Sequence, residues 1–139
     1  MKILGYSAGG HCCGLTLLED GKPVFCFEEE RFNRIKPYND FANIKFRTPW
    51  QSGQWAKQNY DFKLEEVDYL TTYYPELGPL GQEEAKDIIE YAEIGKFDKR
   101  KFIFTDHHDS HCYLAYYTSG FKEDTLVISL DASGGDYSG

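Results

Sequence analysis

The sequence predicts an α/β fold in which helices flank a mixed β-sheet. Two observations lead to this prediction. Apolar segments of strand length alternate along the chain with segments whose apolar residues recur at helical spacing. The 139 residues are 41% hydrophobic and 17% aromatic, which is the composition of a globular domain with a sizeable core.

The first 31 residues predict a three-stranded meander. The apolar stretch KILGYSA forms the first strand and runs into Gly9 and Gly10. The second strand is GLTLLED, the dipeptide Asp20-Gly21 is typical of a hairpin turn, and KPVFCFEEE is the third strand. A glycine turn directly after the first strand lets backbone amides approach a ligand closely.

The middle of the chain predicts two helices and one strand. Residues Asn33 to Gln51 show weak, basic patterning, which favours a loop with short helical turns. A helix follows over about Ser52–Tyr60, and VDYLTTYY is typical of a buried strand. The clearest helix spans Gly81–Gly95, where apolar residues recur at helical spacing: Ala85, Ile88, Ile89 and Ala92.

The last third predicts a strand, a helix and a second strand. KFIFT is the first strand, a helix begins near Asp106 and ends near Gly120, and TLVISL is a buried strand that exits into LDASGGDYSG. A strand as apolar as TLVISL needs neighbours on both sides. We therefore expect residues 1–139 to be the front part of a longer protein, or one lobe of a cleft.

Composition and charge exclude several classes of function. The formal net charge of −8 argues against a nucleic-acid partner, because phosphate backbones require a basic surface. The sequence contains neither a membrane-spanning apolar run nor the apolar stretch of a signal peptide, so we expect no membrane partner. The four cysteines lack CxxC spacing, and Cys12 and Cys13 are adjacent. We expect reduced thiols in a cytoplasmic protein.

Three of the four histidines fall within five residues at the start of the last predicted helix. His107 and His111 are four residues apart and project from one helical face, so neutral imidazoles there can bind one divalent metal ion. His108 shares this face or points to a ligand. Asp106 and Asp109 are candidate acceptors that fix a histidine tautomer, and Asp106 is alternatively the helix N-cap. The simpler interpretation is a polar helix start with solvated histidines.

Two glycine-containing segments are further candidates, and both directly follow apolar strands. In SAGGHCCG, Gly9 and Gly10 form a turn suited to approaching a phosphate, and His11 adds a proton-transfer group. The alternative is a tight turn with an exposed His11. In LDASGGDYSG, Asp131 is a candidate ligand for a metal or a phosphate-bound ion, and three residues are candidate N–H donors to phosphate: Ser133, Gly134 and Gly135. One sheet can bring both segments and the histidines to one edge.

The charged run FEEERFNRIK at the end of the third predicted strand has two interpretations. It contains Glu28–Glu30, Arg31 and Arg34. In the default interpretation, this run is a solvated strand end. In the alternative, a buried Glu–Arg pair shapes the site.

Three ordered motifs resemble one known family. The opening MKILGYSAGGHCCGLTLLEDGKPVFCFEEERFNRIK resembles the start of the nodulation-protein-type O-carbamoyltransferases, which also serve aminoglycoside and cephalosporin biosynthesis. DHHDSHCYLAYYTSGF is similar to their segment DHHxxHAxxAYYxSGF, and LDASGGDYSG is similar to their glycine-rich loop. The motifs cover the start and the end of the chain, whereas the middle, about residues 37–100, adds little.

The resemblance implies that the chain is a lobe of an actin-like ATPase fold, which is ribonuclease H-like. It also implies that this lobe is related to that of the tRNA threonylcarbamoyl-transferring enzymes. It implies that His107 and His111 hold a divalent metal, iron in some members, which contacts a nucleotide phosphate, and that an aspartate beyond residue 139 is the third ligand. His11 matches the family histidine that handles the carbamoyl group or its acceptor. We expect His11 and His108 to be the candidate catalytic residues, because a histidine accepts the hydroxyl proton.

The activity implied by the resemblance has two steps. Carbamoyl adenylate is made from carbamoyl phosphate and ATP in a separate C-terminal domain, and its carbamoyl group is then transferred to the hydroxyl of a small molecule. This chain is expected to be the N-terminal lobe, inactive alone because a C-terminal lobe and the adenylate-forming domain are missing from it. Whether it forms a homo-oligomer stays open.

Two departures and two alternatives accompany this interpretation. Cys12 and Ala132 stand where the family usually has aspartate and glycine, which favours a divergent acceptor or weakened activity. One alternative function is a metal- or nucleotide-binding lobe that acts as a non-catalytic interaction module. The other is a kinase- or hydrolase-type member of the same fold.

Overall fold

A five-stranded mixed sheet forms the centre of the protein. The computed structural model describes residues 1–9, 12–36, 49–73 and 94–130. The strands are β1 (Lys2–Gly9), β2 (Cys12–Glu19), β3 (Lys22–Glu28), β4 (Tyr69–Tyr73) and β5 (Phe102–Thr105). Their order in the sheet is β3-β2-β1-β4-β5.

The first three strands form the predicted meander. β1 pairs with β2 along its whole length, from Lys2 opposite Glu19 to Gly9 opposite Cys12, and β2 pairs antiparallel with β3. Asp20 and Gly21 both adopt positive φ, 49° and 77°, as the tight turn between β2 and β3 requires. The prediction of a hairpin at this dipeptide is confirmed.

The other two strands add a parallel half to the sheet. β4 pairs parallel with β1, and β5 pairs parallel with β4. The strand predicted in VDYLTTYY and the strand predicted in KFIFT are both confirmed. A meander followed by parallel strands in the order β3-β2-β1-β4-β5 agrees with the predicted actin-like, ribonuclease H-like lobe.

Helices flank the sheet. Those in the described ranges are α1 (Glu30–Asn33), α2 (Gln51–Asn59) and α3 (His107–Ser119), with 3-10 turns at Leu64–Glu66 and Lys99–Lys101. The structure confirms the helix predicted over about Ser52–Tyr60 and the helix predicted from Asp106 to Gly120. The helix predicted over 81–95 falls almost entirely outside the described residues, as does most of the loop predicted over 33–51.

The core lies on the side of the sheet where α2 packs against β2 and β3. Trp50 is fully buried beside Tyr6, whose ring also meets Phe102 edge-on. Burial raises the pKa of the Tyr6 phenol far above its ordinary value, so this group stays neutral. Buried aliphatic side chains complete the core: Leu4, Leu15, Leu17, Leu64, Val67, Leu70 and Ile94.

The prediction that TLVISL forms a buried strand is wrong. Thr125–Leu130 carries no strand, and the side chains of Leu126, Ile128 and Leu130 are 85%, 69% and 92% exposed. An apolar sequence becomes a strand only when a neighbouring strand supplies backbone hydrogen bonds. Within the described residues, the sheet ends at β5 on this side and does not extend to Thr125–Leu130.

The structure also bears on the membrane and thiol expectations. Across the described ranges, no helix is both long and apolar enough to cross a membrane. Among the described residues, Cys13, Cys26 and Cys112 are not in disulfides, and Cys13 is buried.

Candidate functional site

Four of the five strands run toward the same edge of the sheet. β4 and β5 are parallel to β1, and β3 has the same direction because β2 is antiparallel to both β1 and β3. The carboxyl ends of these strands, Gly9, Glu28, Tyr73 and Thr105, therefore lie along one edge. Ligands of open α/β sheets bind in the crevice outside such an edge.

The histidine helix begins at this edge, and β1 ends there. α3 starts at His107, two residues after β5 ends, and Gly9 at the end of β1 pairs with Cys12 of β2. One strand separates β1 from β5, so their ends lie roughly 10 Å apart. The end of β1 and the start of the histidine helix therefore lie at one edge of the sheet, whereas the prediction that the glycine segment joins them there stays a prediction. Six predicted site residues lie outside the described residues: Gly10, His11, Asp131, Ser133, Gly134 and Gly135.

Polar groups define the start of α3. The Asp106 carboxylate accepts hydrogen bonds from the backbone N–H groups of His108 and Asp109, at 2.8 and 3.0 Å. Asp106 is thus the N-cap, one of the two roles predicted for it. Asp109 is exposed and places a carboxylate in the first turn. Gly120 ends the helix with a left-handed φ of 78°.

His107 and His111 face each other across one helical turn. Their Nε2 atoms lie 3.2 Å apart, and their rings are nearly perpendicular with centroids 4.7 Å apart. His107 is half-buried and His111 is exposed. A tetrahedral ion with metal–nitrogen distances of about 2.0–2.1 Å holds two nitrogens about 3.3 Å apart. The observed separation therefore fits two ligands of one divalent ion.

His108 occupies a different position in the first turn. Its ring centroid lies 5.5 Å from that of His107, and its side chain is half-buried. Among the residues that the structure describes, no three histidine, cysteine or acidic side chains converge on one point. The described part of the chain thus brings two histidine nitrogens together without a third candidate ligand beside them.

A cavity borders His111, one member of the histidine pair. It has a volume of about 370 Å³ and is lined by His111, Ala115 and the segment Ile128–Leu130. The exposed apolar side chains of that segment therefore lie beside a candidate metal ligand. The segment Ile128–Leu130, which precedes the predicted phosphate loop, therefore lies next to the histidine helix.

Glu29 is a polar centre whose partner the sequence analysis missed. Its side chain is 1% exposed, and its carboxylate accepts hydrogen bonds from the N–H of Gln51 and from the N–H and O–H of Ser52. Glu28 instead pairs with Arg31 at the surface. One signal in the sequence could have indicated this contact. Trp50 is the N-cap of α2, and its indole has no hydrogen-bond acceptor, so the first N–H groups of α2 need an acceptor from elsewhere in the chain.

Three curated relatives resemble the chain over nearly its whole length. Nodulation protein NolNO from Sinorhizobium fredii is 28% identical over 145 residues, covering 91% of this chain and 20% of that protein. The uncharacterized protein sll1178 from Synechocystis sp. is 27% identical over 95% of this chain and 25% of its own length. The uncharacterized protein MJ1051 from Methanocaldococcus jannaschii is 30% identical over 95% of this chain and 22% of its own length.

The chain spans about a fifth to a quarter of the length of these relatives. No protein-family model matches the chain. The similarity nevertheless extends across the middle of the chain, beyond the three motifs that carry the resemblance in the sequence. The resemblance is confirmed as a distant similarity: the chain is similar to nodulation protein NolNO over most of its length.

Proposed function

We propose that this chain is the metal- and nucleotide-binding first lobe of an O-carbamoyltransferase. The lobe acts in the transfer of a carbamoyl group from carbamoyl adenylate to the hydroxyl of a small molecule. The observation that carries the proposal is the 3.2 Å separation of the His107 and His111 Nε2 atoms, at the edge of the sheet where β1 also ends. The distant similarity to NolNO supports the same reaction class.

His107 and His111 would hold the metal ion, which is a divalent ion such as iron. When bound, such an ion stabilises negative charge on a nucleotide phosphate. Exposure of His111 and half-burial of His107 leave the ion accessible to a ligand arriving from the sheet edge. The further ligand, a carboxylate, lies in our proposal beyond residue 139.

The remaining predicted site residues have complementary roles in this proposal. Backbone N–H groups of the glycine-containing segments bind the nucleotide phosphates: Gly9, Gly10, Ser133, Gly134 and Gly135. Asp131 faces the phosphate-bound ion. His11 or His108 accepts the proton of the acceptor hydroxyl. The acceptor oxygen then bonds to the carbamoyl carbon, the bond from that carbon to the adenylate oxygen breaks, and AMP leaves.

The proposal includes partners that this chain does not contain. The matched region makes up a fifth to a quarter of the relatives, so a second lobe and an adenylate-forming domain have room in proteins of that length. In our proposal these parts supply carbamoyl adenylate from carbamoyl phosphate and ATP. The isolated lobe accordingly binds ligands without turnover.

The test is an assay of the lobe joined to its downstream domains, with ATP, carbamoyl phosphate and small-molecule alcohols as hydroxyl acceptors. We expect AMP formation that requires carbamoyl phosphate and that falls in the His107→Ala/His111→Ala double variant. Phosphate release from ATP without any need for carbamoyl phosphate would contradict the proposal and assign a kinase or hydrolase. Ligand binding without turnover by the joined protein would contradict it in favour of a non-catalytic module.

A further inference from the structure

We infer that Thr105 and Ser110 are positioning residues, which hold the first turn of α3 so that the His107 imidazole stays within chelating distance of His111. This inference rests on the proposed metal pair and adds two residues to it. Thr105 is the last residue of β5, and Ser110 lies in the first turn of α3. The two side chains therefore join the sheet edge to the helix start.

Hydroxyl groups connect these two elements through short contacts. Thr105 Oγ1 lies 2.9 Å from Ser110 Oγ, and Ser110 Oγ lies 2.7 Å from the carbonyl oxygen of Asp106. Thr105 Oγ1 also lies 3.3 Å from the carbonyl oxygen of Thr72 in β4. Thr105 and Ser110 have one hydroxyl hydrogen each, so only two of these three contacts can be hydrogen bonds at the same time. The two shortest are served when Thr105 donates to Ser110 and Ser110 donates to Asp106.

His107 depends on this network more than His111 does. His107 is the first residue of α3, where backbone N–H groups lack partners within the helix and the turn frays most easily. His111 lies one turn later, inside the helix. If the first turn opens, the two imidazoles separate and chelation by the pair is lost.

Apolar packing contributes little to holding this turn. None of the thirteen residues of α3, all of which the structure describes, is buried. Most helices in proteins are stabilised mainly by burial of one face, and this one has no such face in the described structure. The polar contacts of Asp106, Thr105 and Ser110 therefore help to fix the histidine pair on the sheet edge.

The probe for the test is copper(II) iminodiacetate. The chelator fills part of the copper coordination shell, so the complex needs two imidazole nitrogens and no third protein ligand. Electron paramagnetic resonance distinguishes copper bound by two nitrogens from copper bound by one. For the unmodified chain we expect two-nitrogen binding, which the His107→Ala/His111→Ala variant lacks.

We expect Thr105→Val and Ser110→Ala to bind the probe about three- to tenfold more weakly, as the loss of a hydrogen bond that closes the first turn predicts. Thr105→Ser keeps the hydroxyl and should restore the affinity. Thr118→Val is the matched control, because Thr118 donates to the Leu114 carbonyl at 2.6 Å in the same helix but far from the pair. This control should bind like the unmodified chain.

The outcomes separate the inference from the proposal beneath it. If the unmodified chain binds the probe no better than the double-histidine variant, the metal pair itself is refuted, and the positioning role with it. If the unmodified chain binds with two nitrogens and Ser110→Ala binds equally well, the pair stands and the positioning role is refuted. Circular dichroism checks folding, and Ser110→Ala decides the matter if Thr105→Val does not fold.

Discussion

The carboxylate of Glu29 caps a helix that begins at Gln51, and its closest partner there is Ser52. One oxygen, Oε2, accepts from the Ser52 N–H at 2.9 Å and from the Ser52 hydroxyl at 2.6 Å, while Oε1 accepts from the Gln51 N–H at 2.9 Å. A negative charge at a helix N-terminus is favourable, and three donors satisfy this one despite its burial. The contact ties the end of β3, at the candidate site's edge, to the start of α2.

Replacement of Glu29 by glutamine should destabilise the fold. One of the two carboxylate oxygens becomes an NH₂ group, which then faces an N–H donor instead of accepting from it. We expect the free energy of unfolding to fall by about 1–3 kcal/mol, as for other buried polar groups that lose a partner. Urea denaturation followed by circular dichroism measures this loss.

Glu28→Gln is the matched control. The side chain of Glu28 is about half exposed and forms a surface ion pair with Arg31. Such pairs contribute about 0–1 kcal/mol, so the control should lose less stability than Glu29→Gln. Equal losses in the two variants would show that the buried contact does not stabilise the fold.

Two strand glycines should differ sharply in their tolerance of a methyl group. A Cβ at Gly14 would lie 2.7 Å from the carbonyl oxygen of Phe27 on the neighbouring strand, whereas a Cβ at Gly5 would meet nothing closer than 3.8 Å. We expect Gly14→Ala to lose about 1–3 kcal/mol of unfolding free energy, because backbone must shift. Gly5→Ala should change it by less than about 1 kcal/mol. Similar midpoints in urea for the two variants would contradict this account.

Much of this fold follows from local signals in the sequence. Asp20-Gly21 marks the hairpin because both residues take positive φ there. Asp106 and Gly120 mark the ends of α3 because one caps with its carboxylate and the other takes the left-handed conformation. Each of these signals acts within a few residues, so the sequence reveals it directly.

Features that depend on distant partners could not be predicted in this way. The Glu29–Ser52 contact joins residues 23 positions apart, so the sequence indicated only a solvated strand end and, as the alternative, a buried Glu–Arg pair. TLVISL has the composition of a buried strand, yet strand formation requires a partner that the described sheet does not give it. For the candidate site, the spacing of His107 and His111 predicted their common face, whereas the hydroxyl network beneath them required the fold.

The exposure of the segment before the glycine loop gives a third prediction. Leu130→Ala should change the free energy of unfolding by less than about 0.5 kcal/mol, since the side chain is 92% exposed in this chain. Leu70→Ala, in the fully buried centre of β4, should cost about 2–5 kcal/mol. A loss of 2 kcal/mol or more for Leu130→Ala, on the scale of a core deletion, would mean that this segment is buried after all.

The ion pair between Asp98 and Arg100, just before β5, lowers the pKa of the Asp98 carboxyl. Arg100 donates through Nε and Nη2 to the two carboxylate oxygens of Asp98, and these hydrogen bonds hold the pKa of Asp98 at about 2, below its ordinary value of 3.8. Because the folded-state pKa is lowered, any stabilisation from this pair is complete above pH 3.8 and is lost as the pH falls through about 2.

Carbon-detected NMR titration of Asp98 measures this shift. In the Arg100→Gln variant the Asp98 pKa should rise toward 3.8. Lys101→Gln is the control, because its neighbouring charge is the weaker cause of the shift and its loss should leave most of the lowering in place. An unchanged pKa in Arg100→Gln would contradict the assignment to this pair.

The most direct test of the central claim is the binding of a divalent metal ion to the histidine pair. Calorimetry under anaerobic conditions, with iron(II) as the ion, compares the unmodified chain with the His107→Ala/His111→Ala variant and with His108→Ala as a one-histidine control. The account predicts uptake of iron by the unmodified chain and by His108→Ala, and loss of that uptake in the double variant. Equal uptake by the unmodified chain and the double variant would contradict a metal site at this pair.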